Sequence, residues 1–188
     1  MLRLGVKKVS VYALSIENLK NRDKREIKEL FRIFKHYFSK WNSGEFKELH
    51  EYEVKVNFFG NFYLLPKSLV RLMRKIMQKT KHYNKRILNI LIAYGGTYEI
   101  LNLIKKAISR RIEIKKIDEN FIKKNLLVKD DVDLIIRTGG YSRLSNFLPL
   151  QSTYAEIYVT KKLWPDITEK DILNAIKWFN KIQRNFGR

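Results

Sequence analysis

Two arginines and a serine, Arg137, Arg143 and Ser145, fall within one short glycine-containing stretch, and their types and spacing suit the capture of an anion. The apolar run 132–136 predicts a buried strand, and Thr138-Gly139-Gly140 predicts a sharp turn outside its carboxyl end, where open α/β sheets bind ligands. Arg137 is therefore expected at a mouth and not in a core. Six residues on, Arg143 adds a second guanidinium and Ser145 a hydroxyl, so one loop offers forked donors matched to phosphate oxygens. Taken singly, either arginine reads as an ordinary solvated charge. Their joint setting points to a diphosphate.

The elements that must position this loop follow from periodicity. Residues 6–14 predict a strand. Residues 23–41 carry Ile27, Leu30, Phe31, Phe34, Phe38 and Trp41 at helical spacing. A second strand is expected at 54–58, a helix opened by Pro66 as far as 81, and a third strand at 87–94 ended by Gly95-Gly96. A helix over 98–111, a short helix over 118–126, strands at 132–136 and 154–159, and a helix capped by Thr168 and running to 183 complete the chain. Strands alternating with helices predict an α/β fold, a single domain over residues 1–188 with a mainly parallel central sheet flanked by helices and right-handed crossovers.

Composition narrows the chemistry. The chain has 188 residues, 45% hydrophobic and 31% charged, a globular balance without low-complexity tracts or repeats. The absence of cysteine excludes disulfides, thiolate zinc sites and a cysteine nucleophile. His36, His50 and His82 lack metal-ligand spacing. No secretory signal precedes the first strand, and the apolar run 87–94, interrupted by Asn89, is too short to span a bilayer, so a soluble, cytoplasmic protein is expected. Lys and Arg total 39 against 19 acidic residues, giving +20, a charge that attracts nucleic acid, anionic headgroups or anionic substrates. The cations are spread over the faces of 20–40 and 71–85 without an RNA-binding signature or zinc finger, which disfavours nucleic acid as a partner.

Several segments in one order carry a resemblance. Ile136-Arg-Thr-Gly-Gly140, Arg143-Leu-Ser-Asn-Phe147, Gln151-Ser-Thr-Tyr-Ala-Glu156, Leu163-Trp-Pro-Asp166 and Asn185-Phe-Gly187 are similar to consecutive signatures of the cis-prenyltransferases, the undecaprenyl diphosphate synthase family. Upstream, Tyr12-Ala-Leu-Ser15-Ile-Glu17-Asn18 and Tyr94-Gly-Gly96 with Glu99-Ile100 resemble two further family elements. One Gly-Gly or Arg-x-Ser would carry little; this many in order carries the family.

The resemblance implies a reaction in which isopentenyl diphosphate is joined repeatedly to an allylic prenyl diphosphate, each time making a cis double bond, to give a long-chain, undecaprenyl-type diphosphate. It assigns Arg137, Arg143, Leu144 and Ser145 to the isopentenyl diphosphate clamp, and Glu156 to Mg²⁺, for which a carboxylate is a suitable hard ligand. Ser15, Ile16, Glu17, Asn18, Leu19 and Arg22 match the other half of the site, and an apolar tunnel for the growing chain is implied near the helix over 23–41. Family proposals give the asparagine a part in proton removal, but an amide is a feeble base, so Asn18 is expected to orient a diphosphate or water. The resemblance further implies a homodimer, or a heterodimer with a complete homologue, and transient contact with the membrane surface that receives a lipid product.

Departures from the family pattern are Leu19 for an aromatic, Thr97 for an arginine, and Tyr141 and Ser142 for Glu and His. Arg22 aligns only with one inserted residue, and Asn185-Phe-Gly187 stands for an Arg-x-Gly ending. The family's opening strand, its Asp-Gly-Asn loop bearing the catalytic aspartate, and the helix that follows have no counterpart after Met1. Three readings account for this: a chain that continues upstream, a noncatalytic subunit of a heteromeric enzyme, or a decayed copy. Retention of Arg137, Arg143, Ser145 and Glu156 together favours the first and speaks against the last. A basic nucleic-acid-binding protein is the remaining alternative, resting on charge alone.

Overall fold

In the computed structural model, which describes residues 4–185, the chain runs β1 (Lys8–Ser15), α1 (Ile16–Asn21), α2 (Lys24–Ser43), α3 (Glu48–Glu51), β2 (Val54–Phe59), α4 (Lys67–Thr80) and β3 (Arg86–Tyr94). It continues through α5 (Gly96–Ser109), α6 (Glu119–Asn125), β4 (Leu134–Arg137), β5 (Glu156–Val159) and α7 (Glu169–Phe179). The described residues form two compact units, 4–99 and 100–185, with the boundary inside α5.

In the first unit β3 lies between β1 and β2, parallel to both. Such a strand is covered on both faces, which is why its last six residues, Asn89 to Tyr94, are all buried and read as a nearly unbroken apolar run. β2 alternates instead: Val54, Val56 and Phe58 are buried and their neighbours less so. Against that face pack Phe38 of α2 and Leu69, Met73 and Ile76 of α4, with the Phe38 ring edge-on to Phe58 at 5.0 Å. The helical stripe read from 23–41 is thus core, although only Phe38 is fully buried in α2.

One polar rung crosses this apolar sheet. Asn57, Asn89 and Ser10 stand side by side in register; Asn57 Nδ2 donates to Asn89 Oδ1 at 3.0 Å and Asn89 Nδ2 to Ser10 Oγ at 3.2 Å. A slip of either edge strand by one residue would send its member of the rung to the other face and strand buried amides.

In the second unit β4 and β5 pair in parallel, and α7 packs on both, burying Ile172 and Ala175, with the Tyr158 and Trp178 rings 5.3 Å apart. Thr168 caps α7, as the sequence predicts, and does so in a reciprocal box with Asp171; the helix ends at Phe179, short of the expected 183. Lys162 and Thr168 both donate to the Asp171 carboxylate and hold it well below the usual range. Arg184 reaches back to Asp133 Oδ1 at 2.8 Å and Tyr154 O at 3.0 Å.

Several boundaries differ from expectation. Residues 16–21 form a helix that apolar spacing does not announce, because a capping box starts it immediately at the end of β1. Glu48–Glu51 is a further short helix. Gly96 opens α5 two residues earlier than predicted. β4 begins at Leu134 because the Val132 amide turns to Gln151 O at 2.8 Å, and β5 begins at Glu156 because Tyr154 lies in a turn. Phe186 and Gly187 of the C-terminal signature lie outside the described residues. Among the described residues no helix is long and apolar enough to cross a membrane.

The exit of β2 is the tightest point. A Cβ on Gly60, at φ +144°, would stand 1.9 Å from Ile92 O, while the next amide, Asn61 N, donates to Ala93 O at 2.8 Å. Gly44, the left-handed C-cap of α2, has open space around it. Gly60→Ala is expected to destabilise the protein by more than about 3 kcal/mol, against about 1 kcal/mol for Gly44→Ala, as read by urea unfolding. Equal losses would refute the clash.

Candidate functional site

Arg137 is the last residue of β4, and the chain leaving it is fastened to the chain leaving β5. Thr160 N donates to Arg137 O at 2.8 Å, Gly139 N to Lys162 O at 2.9 Å and Gly140 N to Thr160 O at 2.9 Å. Both glycines hold positive φ, 82° and 77°, so the double turn needs residues without a Cβ penalty. Arg137 lies half-buried here, and its Nε is enclosed without a hydrogen-bond partner among the described residues. An enclosed guanidinium N–H in that state calls for an acceptor from outside the chain.

Arg143 is exposed, with its guanidinium carbon 4.2 Å from the centre of the Tyr141 ring. The aromatic departure at 141 thus supports the arginine by a cation–π contact instead of pairing with it, and leaves its donors available. Beyond it, Ser145, Asn146 and Leu148 all adopt left-handed φ of 50°, 64° and 47°. Three such non-glycine residues so close together persist only where the surroundings force them. Leu148, completely buried, is one anchor, and Phe147 N bonded to Leu144 O at 3.1 Å is another. Leu144 itself is half-buried.

Glu156 stands elsewhere on this pair of strands. It begins β5 opposite Leu134, whereas Arg137 lies opposite Val159. Three residue steps separate the two levels, about 10 Å along the strands. Its carboxylate makes no ion pair with any described residue, so the strand-end salt bridge that would explain it structurally is absent. Among the described residues no group of three or more His, Asp or Glu could hold a metal. One carboxylate set apart from the arginines does not make a Mg²⁺ site by itself.

The residues matched to the other half of the family site gather in the first unit, at the carboxyl ends of β1 and β3. Ser15 and Tyr94, the last residues of the two strands, are in register. Ser15 Oγ accepts from Asn18 N at 3.0 Å and Asn18 Oδ1 accepts from Ser15 N at 3.3 Å, a complete capping box. The Asn18 amide therefore spends its acceptor on the backbone and keeps Nδ2 to donate, the orientation for holding an oxyanion and not for taking a proton. Glu17 is exposed in the first turn of α1, and Ile16 is half-buried. Leu19 packs against the core, and Arg22 is ion-paired with Glu26.

Beside them Tyr12, Tyr94 and Glu99 form a network. Tyr94 Oη donates to Glu99 Oε2 at 2.6 Å, both residues buried, and Tyr12 Oη donates to Tyr94 O at 3.1 Å. Burial, then the Glu17 carboxylate, pushes the Tyr12 phenol up to about 12, with a hydrogen bond to Ser15 acting in the opposite sense. Ala93 at φ 51° and register shifts on either side of Leu14 mark the same strand ends as irregular. Helix-start position and a preceding Tyr were the available signal for Glu99; nothing in spacing reveals that Tyr12 joins it.

Because the folded Tyr12 pKa lies above its unfolded value, the native state holds the extra proton between the two, and stability falls as pH rises from about 10 to 12. Tyr12→Phe is expected to flatten that part of the pH–stability curve. An unchanged slope in chemical denaturation at alkaline pH would show that Tyr12 is not the group responsible.

Comparison with known proteins shows the family. The family model described as putative undecaprenyl diphosphate synthase matches residues 1–187, across both units. A tritrans,polycis-undecaprenyl-diphosphate synthase (geranylgeranyl-diphosphate specific) of Methanopyrus kandleri is 42% identical, the alignment covering 100% of this chain and 70% of that protein. A probable undecaprenyl diphosphate synthase from Campylobacter jejuni superposes with a TM-score of 0.87 at 30% identity, over 100% of this chain and 86% of that one. Lavandulyl diphosphate synthase from Lavandula x intermedia, solved with dimethylallyl diphosphate, gives 0.90 at 28% identity, over 99% and 81%. With an α/β fold of parallel strands and the family signatures in place, the chain belongs to the undecaprenyl diphosphate synthase family of cis-prenyltransferases.

Proposed function

We propose that this protein elongates prenyl chains in the cytoplasm, adding isopentenyl diphosphate units in cis to geranylgeranyl diphosphate to reach an undecaprenyl-length product. The observation that carries the reading is the Arg137–Ser145 loop, with its enclosed, unpartnered Arg137 Nε and its Tyr141-supported Arg143. The primer and product length rest on the specificity in the name of the Methanopyrus kandleri relative. Both compact units act together as one domain in this reading.

In each cycle the terminal alkene carbon of isopentenyl diphosphate forms a bond to C1 of the allylic substrate. The allylic C–O bond breaks, diphosphate leaves with the electron pair, and a proton is lost from the added unit. Arg137 and Arg143 hold the isopentenyl diphosphate oxygens by charge-assisted bonds, and Ser145 adds a hydroxyl. Asn18 Nδ2 donates to a diphosphate oxygen, and the buried Tyr94–Glu99 pair keeps the end of β3 in place beneath the capping box. Mg²⁺, implied by the family, would supply electrostatic help to the departing diphosphate. Glu156 is the one matched carboxylate for it, and no step is assigned through the ion.

Uncovered apolar side chains favour assembly with a second chain. α5 exposes Leu101, Ile104 and Ile108 at spacings of three and four, and β5 exposes Ile157 and Val159. We read these as a homodimer surface; Ile104→Glu with Ile108→Glu should yield monomers by light scattering, and an unaltered mass would reject α5 as the contact.

The separation of Glu156 from Arg137 by three residue levels favours one second reading, a noncatalytic subunit paired with a complete homologue. Turnover of isopentenyl and geranylgeranyl diphosphates by the purified protein alone supports the first reading; turnover only after a full-length homologue is added supports the second. Both require the clamp. Arg143→Ala is expected to weaken isopentenyl diphosphate binding in calorimetry by ten- to a hundredfold, roughly the loss of one charge-assisted contact. Unchanged binding would dispose of the clamp in either reading.

A further inference from the structure

The excess of positive charge has an address. α4 carries Lys67, Arg71, Arg74, Lys75 and Lys79 in 14 residues and no carboxylate. Their spacing of four, three, one and four places them along one face, and all are exposed, while Leu69, Met73, Ile76 and Thr80 are buried on the other. Among the described residues Lys67, Arg71, Arg74 and Lys75 form no ion pair, although acidic partners are used freely on other elements, as in Arg22–Glu26 and Lys162–Asp171. A helix about 20 Å long therefore presents a bare cationic row.

Two further features choose among anionic partners. Tyr63 is 99% exposed and Leu64 is 45% exposed, on the turn immediately before Pro66 and α4. An aromatic and an aliphatic side chain in water at the head of a cationic row suit the headgroup boundary of a bilayer, where a tyrosine ring is half apolar and half wet. Farther along, Asn42, Lys75, Gln78 and Lys79 line an open groove of about 400 Å³, where the two lysines suit a headgroup phosphate. Single-stranded nucleic acid would call for successive stacking rings along the track, and α4 has none.

We propose that the outer face of α4, led by Tyr63 and Leu64, docks this protein on anionic phospholipid bilayers. The chain-elongation reading supplies only the reason for a bilayer to be near; vesicle binding is measured without turnover, so the two fail separately.

The test is cosedimentation of the full chain with phosphatidylcholine vesicles with and without phosphatidylglycerol. Binding is expected only to the anionic vesicles and should vanish at roughly 0.5 M salt. Arg71→Glu with Arg74→Glu should weaken it about thirtyfold, and Tyr63→Ser severalfold. Lys105→Glu on α5 with Arg110→Glu just beyond its end, which alters net charge equally, should weaken it no more than about threefold. Retained thermal melts confirm that the exposed-site variants fold. Equal loss for the two double variants would overturn the proposal in favour of diffuse charge, and binding to neutral vesicles would overturn it outright. Binding to single-stranded RNA through Arg71 and Arg74 with vesicles ignored would replace the bilayer by nucleic acid.

Discussion

Parallel hydrogen bonding on both sides of β3 is the constraint from which the first unit follows. A strand paired in parallel on each edge cannot be reached by hairpins, so its neighbours must be joined to it by crossovers, and here α2 and α4 lie in those connections. Both helices then cover the sheet with Phe38, Leu69, Met73 and Ile76. Because all three strands run the same way, their carboxyl ends come out together, and Ser15 meets Tyr94 there. The Asn57–Asn89–Ser10 rung fixes which residues arrive at that end, since buried amides tolerate one register.

The second unit meets a similar demand with fewer strands. β4 and β5 are four residues each, too short to hold a loop of twelve or more residues by pairing alone. Rigidity is added after the strands end, where the Gly139 and Gly140 amides bond to Lys162 O and Thr160 O. The loop carries left-handed residues at 145, 146 and 148 and one enclosed guanidinium nitrogen without a partner. Such costs are kept where an incoming ligand repays them, and the same stretch holds the donors matched to a diphosphate.

Side chains with a structural task and a ligand task are not exclusive here. Ser15 and Asn18 close the box that starts α1, yet that closure uses only Oδ1 of the Asn18 amide and leaves Nδ2 to donate. Tyr141 replaces an acidic family residue and supports Arg143 by its ring. Leu19, by contrast, is spent on the core and Arg22 on Glu26, so their matched positions carry less of the site than the motif implies.

Residue types and order settled the α/β class, the parallel strands, the Thr168 cap and the family, because apolar period, glycine pairs and motif spacing are local properties of the chain. Arg137, Arg143 and Ser145 could be singled out for the same reason: they share one loop. What no local pattern contains is which level of a strand a residue reaches relative to its neighbour. Glu156 and Arg137 are separated by register, the Tyr12–Tyr94–Glu99 network is made by pairing across 82 positions, and α1 exists through a capping box at a strand end. Those outcomes belong to the tertiary structure, since hydrogen bonds and burial between distant segments outweigh the fractions of a kcal/mol in local propensity.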